Sequence, residues 1–152
     1  MELIARQQGI RWVHVPFTSG DVTALLGGHI HAVASGSVWA PQVKSGELRL
    51  LATFGAKRTG YWPSVPTLTE SSIEVVMDGT YGLAGPKGMD AAVVATLHDA
   101  FKAAMDQPDC ASAIANFHQE ARYLSSSEFR AFALGQIEKQ RRLVGELGLR
   151  LN

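Results

Sequence analysis

HVPFTSGDVTALLGGHIHAVASGS, residues 14–37, is the stretch on which the fold turns. Trp12 to Phe17 is a short β-branched and aromatic run that ends in Pro16-Phe17, which predicts a strand. Asp21 is placed to cap a short helix through Leu26, and Gly27-Gly28 would stop it. His29 to Ala34 then sets Ile30, Ala32 and Ala34 on one face of a second strand. Farther on, Trp39 to Lys44 predicts one or two helical turns ended by Ser45-Gly46. Leu48 to Phe54 is a nearly continuous apolar run, the pattern of a strand covered on both faces. Strands alternating with helices predict the α/β class with a mainly parallel sheet.

Gly55 to Ser72 changes character, with prolines, a basic pair and hydroxyl residues that predict an extended loop. Ile73 to Met77 predicts a further strand, followed by the glycine-punctuated DGTYGLAGPKG. From Asp90 to Met105, Val93, Val94, Leu97, Phe101, Ala104 and Met105 follow the spacing of an amphipathic helix. Pro108 suits the first turn of another helix reaching about Phe117. Ser125 and Glu128 form an S-x-x-E capping box, with Phe129, Phe132, Ile137, Val144 and Leu147 on the apolar face of the last helix. No internal repeat or low-complexity segment interrupts this order.

The 152 residues suffice for one domain or two small lobes with a sizeable core. Apolar residues make up 46% and charged residues 18%, with zero formal net charge, so no electrostatic pull toward nucleic acid or anionic membrane is expected. No apolar run approaches the roughly 20 residues that cross a bilayer, and MELIARQQGI lacks the basic and apolar segments of a signal peptide. Cys110, the single cysteine, excludes an intrachain disulfide and reads as a small apolar residue of a helix.

Catalytic chemistry is poorly represented. GPKG at 85–88 lacks the spacing with which a glycine-rich loop cradles phosphate. His29 and His31 share a strand face without a third ligand nearby, so no metal and no cofactor is expected. His14 stands beside a hydroxyl-rich loop, and SGSVW at 35–39 resembles a nucleophile elbow whose second glycine is replaced by Trp39. A small serine esterase using Ser35 or Ser37 with His14 as base is therefore one alternative. Lys57 and Arg58 read as a solvated basic pair or as partners of an anion, while Tyr61, Trp62 and Tyr81 are aromatic residues placed to line a site or close a core.

Two loops of one type stand out: Thr18-Ser19-Gly20 after the first strand and Ser35-Gly36-Ser37 after the second, each before a helix. Both offer hydroxyls and unhindered amides at a helix N-terminus, where the helix dipole favours a carboxylate. In an open α/β sheet they would lie at the ligand-binding edge, beyond the carboxyl ends of the strands.

HVPF, LLGGHIHAVASGS, APQVKSGELRLLATFGAKR, WPSVPTLTE and YGLAGPKGMD occur in this order and together resemble the C-terminal half of the solute receptors of tripartite tricarboxylate transporters, the Bug proteins. The resemblance covers essentially the whole chain, and the run from GELRLLA through KR to VPTLTE is its most specific part. It implies an incomplete type II periplasmic binding protein fold, with residues 1–74 the later part of the second lobe and 75–152 the C-terminal part of the first. It also implies a periplasmic receptor without enzymatic activity, which captures a dicarboxylate, tricarboxylate or amino acid for membrane transporter subunits. A sensing module that kept the receptor fold is a further alternative. Phe17, Thr18, Ser19, Gly20, Ser35, Gly36, Ser37 and Tyr81 become the ligand-facing candidates.

Two departures accompany the resemblance. The stretch from Phe17 to Leu25 is about two residues shorter than the family pattern, with Thr18-Ser19 replacing a basic residue and glycine. The N-terminal half, with its leader and the glycine-rich loop of the first lobe, is expected to be missing, whether by truncation, proteolysis or design. A neutral chain of this kind is expected to self-associate through the apolar surface left open and to bind its ligand weakly.

Overall fold

The computed structural model describes residues 1–77 and 79–148; Asp78 of the DGTYGLAGPKG stretch and residues 149–152 of the expected second segment lie outside them. Six α-helices are present among these residues: α1 Glu2–Gln8, α2 Asp21–Leu26, α3 Ala40–Ser45, α4 Ala91–Met105, α5 Pro108–Asn116 and α6 Ser126–Leu147. Single 3-10 turns occupy Ser37–Trp39 and Thr69–Ser71. The chain divides into two compact units, an N-terminal one of Met1–Thr80 with Ile114–Glu120 and a C-terminal one of Tyr81–Ala113 with Ala121–Asn152.

In the N-terminal unit Ile4, Leu68 and Val75 form the buried cluster, with Leu3, Ala52, Phe54 and Ile73 packed against it. Helix α1, which the sequence reading passed over, supplies Ile4 and Ala5 to this core. Gln7 fastens it: the Glu74 N–H donates to Gln7 Oε1 at 2.9 Å, and Gln7 Nε2 donates to the Glu74 carbonyl at 3.4 Å. One side-chain amide thus does for residue 74 what a neighbouring strand would do.

The expected strands at Trp12–Phe17, His29–Ala34, Leu48–Phe54 and Ile73–Met77 are not formed as a sheet. The one isolated bridge among the described residues is the parallel pair Thr53–Thr67, where Thr53 N–H donates to Pro66 O at 2.9 Å and Leu68 N–H to Thr53 O at 3.0 Å. Met77 N–H reaches Phe54 O at 2.9 Å. β-Propensity describes a side chain that fits a half-buried pleated surface, whereas a strand exists only through a hydrogen-bonded neighbour. Residues 48–54 are accordingly covered on one face: Ala52 and Phe54 meet the core while Leu51 is 68% exposed.

Helix α2 has the expected length, but Gly20 rather than Asp21 is its cap, in a left-handed conformation (φ 78°) that glycine adopts without strain. Asp21 opens the first turn, its Oδ1 accepting from Val22 N–H at 2.9 Å. The presumed extended loop 55–72 is tied back on itself, and Arg58, though exposed, is paired. Its Nε lies 2.9 Å from Glu70 Oε2, its Nη1 donates to Pro63 O at 2.9 Å, and Glu70 Oε2 also accepts from the buried Thr67 N–H at 2.8 Å. These donors, Arg58 foremost, hold the Glu70 carboxyl below its ordinary value.

The C-terminal unit follows the sequence closely. Asp90 Oδ1 caps α4 through the Ala92 and Val93 amides at 2.8 and 3.3 Å. Ser125 and Glu128 form the reciprocal capping box of α6, with Ser125 N–H donating to Glu128 Oε2 at 2.8 Å. Gly82 is required by space: a Cβ there would stand 2.3 Å from Phe129 Cζ. No described residue of α4, α5 or α6 is buried.

Candidate functional site

Seven of the eight candidate residues lie in the N-terminal unit, and Tyr81, 82% exposed, belongs to the other. Phe17 is exposed at the start of the first loop. The hydroxyls of Thr18 and Ser19 carry no intramolecular hydrogen bond among the described residues, so both stand available before α2. In the second loop, Ser35 O accepts from Trp39 Nε1 at 3.4 Å, and Ser35 Oγ donates to its neighbour's carbonyl, Gly36 O, at 3.3 Å.

Gly36 caps the 3-10 turn with φ −65° and ψ −178°, an ordinary backbone, and a Cβ there would meet nothing within 4 Å. Neither conformation nor internal packing requires glycine at this position, and its N–H has no intramolecular acceptor among the described residues. Ser37 behaves differently. Its hydroxyl donates to the backbone carbonyl of Phe117, 80 residues away.

That contact belongs to a polar and aromatic cluster that sequence reasoning found only in part. Trp39 and Trp62 lie 5.8 Å apart by ring centroids, and Tyr61 and Trp62 lie 5.5 and 5.9 Å from the imidazole of His118. Glu120 Oε1 accepts from Gly60 N–H at 2.8 Å and from Thr59 Oγ1 at 2.9 Å, and those donors, the amide first, hold its carboxyl below the ordinary value. Tyr61 and Trp62 were legible as aromatic residues near a loop; Phe117, His118 and Glu120 were not. Helix α5 ends without glycine, and His118 takes the left-handed conformation instead (φ 52°), a position histidine tolerates better than most residues.

Donors without an intramolecular acceptor, the Thr18 and Ser19 hydroxyls and the Gly36 amide, are what this geometry offers among the described residues. Neither Ser35 nor Ser37 meets an imidazole among the described residues, so His14 is not joined to either as a base. His29 and His31 join no group of three or more metal-ligating side chains among the described residues. A 370 Å³ depression at the end of α1, lined by Glu2, Arg6, Arg11 and Trp12 among others, contains none of the eight candidates. No helix of the described residues is long and apolar enough to cross a membrane.

Residues 1–149 match the model of the tripartite tricarboxylate transporter family receptors. The chain is 44% identical over 151 residues to the "UPF0065 protein in gbd 5'region" of Cupriavidus necator, which covers 98% of this chain and 46% of that protein. It is 26% identical to Protein BugT of Bordetella pertussis, across 99% of this chain and 47% of the relative. The chain thus spans about half the length of the curated relatives it matches. A crystal structure of a TctC solute-binding protein from Polaromonas superposes with a TM-score of 0.72 at 24% identity, over 95% of this chain and 51% of that one. This likeness gives the fold: the missing ladders notwithstanding, the chain follows part of a solute-binding protein.

Proposed function

The chain belongs to the tripartite tricarboxylate transporter receptor family, and on that premise we propose that it is part of a periplasmic solute-binding receptor that captures a small carboxylate for membrane transporter subunits. Residues 1–74 are assigned to the second lobe of a type II two-lobed fold and 75–152 to the first. Phe17, Thr18, Ser19, Gly20, Ser35, Gly36 and Ser37 are the ligand-facing residues assigned to the second lobe, and Tyr81 is the candidate assigned to the first.

One observation carries this reading. Two successive loops present uncommitted donors before a helical turn: the Thr18 and Ser19 hydroxyls in one, the open Gly36 amide in the other. Such donors suit a carboxylate, which accepts hydrogen bonds at both oxygens and gains from the positive end of a helix. Among the described residues no imidazole is hydrogen-bonded to Ser35 or Ser37, and binding is the activity these donors support. Main-chain and hydroxyl donors read the carboxylate group rather than the carbon skeleton, which is why the ligand class is stated as dicarboxylate, tricarboxylate or amino acid.

The test is an amide chemical-shift titration of the chain with succinate, citrate and glutamate at millimolar concentrations, a range in which one-sided sites are still populated. Shifts concentrated at residues 18–20 and 35–37 are expected with at least one of the three. Shifts confined to the basic residues near α1, or none with any ligand, would remove the two loops from the site. Activated esters are expected to hydrolyse at the rate of buffer alone.

A further inference from the structure

The segment Ile114–Glu120 crosses the N-terminal unit as a strap. Three sets of contacts hold it there: the Ser37 hydroxyl on Phe117 O, the Gly60 amide and Thr59 hydroxyl on Glu120, and the Tyr61 and Trp62 rings against His118. The first comes from a loop already assigned to the ligand. A serine hydroxyl carries a single proton, so it donates to one acceptor at a time. Occupation of the 35–37 loop by an anion that uses Ser37 therefore conflicts with the strap.

We propose that the Ser37 hydroxyl is exchanged between the strap and the ligand, so that capture of a carboxylate at the 35–37 loop unpins Phe117; this rests on the carboxylate reading of that loop. Chemistry favours the exchange. A carboxylate forms a charge-assisted bond about twice as strong as one to a neutral carbonyl. Phe117 is 65% exposed, so water can take over the vacated carbonyl at little penalty. Glu120 stays in place, because its donors lie at 59–60 and not in the ligand loop. Ser37 is thus a positioning residue for the strap in the empty receptor and a ligand contact in the filled one.

Hydrogen exchange at the strap reads this directly, because the amides of Phe117, His118 and Gln119 each donate to a carbonyl of the preceding turn, at 3.1, 2.8 and 3.3 Å. In the full chain without ligand, Ser37→Ala should speed exchange at these three amides about three- to tenfold, the equivalent of one neutral hydrogen bond. Ser37→Thr, which keeps the hydroxyl, should restore the slow rates. Succinate, citrate or glutamate, whichever binds, should speed the same amides in the unaltered chain and leave them unchanged in Ser37→Ala. Binding that leaves the strap rates alone, or that moves them equally in Ser37→Ala, overturns the exchange while leaving the carboxylate site standing. Absence of binding by all three overturns the site and the exchange together. Unchanged rates in ligand-free Ser37→Ala overturn the strap itself.

Discussion

The two units are built on opposite plans. In the N-terminal unit contacts span the sequence: Gln7 to Glu74, Ser37 to Phe117, Thr59 and Gly60 to Glu120. All the residues found buried lie there, Ile4, Ala5, Ala40, Thr67, Leu68 and Val75. In the C-terminal unit the capping contacts are local, Asp90 to the first turn of α4 and Ser125 to Glu128. Its longer connections are exposed ones, such as His98 Nε2 to the Tyr123 hydroxyl at 2.8 Å. Regular helices are therefore no measure of a finished core: the unit with the longer helices has no fully buried side chain among its described residues, and the unit with the shorter ones carries the packing.

The largest expected effect follows from that contrast. Val93, Val94, Leu97 and Phe101 of α4, and Leu134 and Ile137 of α6, are each 40 to 49% exposed. Full burial of such a side chain contributes about 1.5–3 kcal/mol, of which roughly 1 kcal/mol remains to be gained at each. Two copies covering these six positions would recover about 12 kcal/mol, comparable with an association penalty of about 4–15 kcal/mol. A reversible dimer is expected in sedimentation, and Leu97→Glu with Phe101→Glu should shift it to monomer. A compact monomer that binds one of the carboxylates at micromolar affinity would break the comparison, since the C-terminal unit would then need no cover.

Next in size is the core of the N-terminal unit. Leu68 is 6% exposed and touches both α1 and the 73–75 segment's cluster. Leu68→Ala should cost about 2–5 kcal/mol in chemical denaturation. The loss should appear in hydrogen exchange of α1 and leave α6 unaffected. Phe101→Ala, at a 48% exposed position, should cost much less in a monomeric background. Equal costs at the two positions would erase the distinction between the units.

What the sequence disclosed follows the same division. The capping box at Ser125 and the apolar periodicity of α4 are local signals, and they are where the structure has them, to within one residue; the Asp90 cap is an addition of the structure. The strands were misread because residues 12–17, 29–34 and 48–54 carry strand-forming side chains but build no ladder among the described residues, where the pairing is confined to Thr53 with Thr67 and Phe54 with Met77. The family-like run from KR to VPTLTE gains a physical meaning here: Arg58 and Thr67 are the partners of Glu70, and Thr67 is the bridge residue. Of the ligand loops, Thr18 to Gly20 and Ser35 to Ser37 were visible as hydroxyl and glycine clusters. Their connection to Phe117 was not, because a bond spanning 80 residues leaves no periodic trace.

Helix caps make a smaller, local test. Ser125→Ala removes the side chain that Glu128 N–H reaches at 3.4 Å and should cost about 1 kcal/mol, read as faster exchange in the first turn of α6 alone. Spread of that effect into residues 59–75 would mean that the C-terminal unit's helix ends are wired into the other core, contrary to the contrast drawn above.

The smallest effect is expected from acid. Glu70 and Glu120 in the N-terminal unit and Glu128 in the C-terminal one each have a carboxyl held below the ordinary value of 4.5, by Arg58, by the Gly60 amide and by the Ser125 hydroxyl respectively as first causes. A carboxyl whose folded value lies below its unfolded one binds fewer protons when folded. Its stabilisation is complete above about pH 4.5 and disappears as the pH falls through the lowered folded value. All three groups are exposed, so solvent and salt screen the effect and it stays modest. The consequences should nevertheless differ by unit. Acidification below pH 4.5 should loosen the 59–60 turn and the strap together in the N-terminal unit, because Glu120 joins them across 60 residues. In the C-terminal unit it should fray only the first turn of α6, because Glu128 reaches three residues back. Thr59→Val sharpens this, since it removes the second of Glu120's donors and leaves the amide: the Glu120 midpoint, followed by carboxyl carbon shifts, should rise part of the way toward 4.5 while that of Glu128 stays fixed. A Glu120 midpoint that ignores the substitution would show that the hydroxyl does not reach the carboxylate, and the strap would then hang on the Gly60 amide, Ser37 and the aromatic rings.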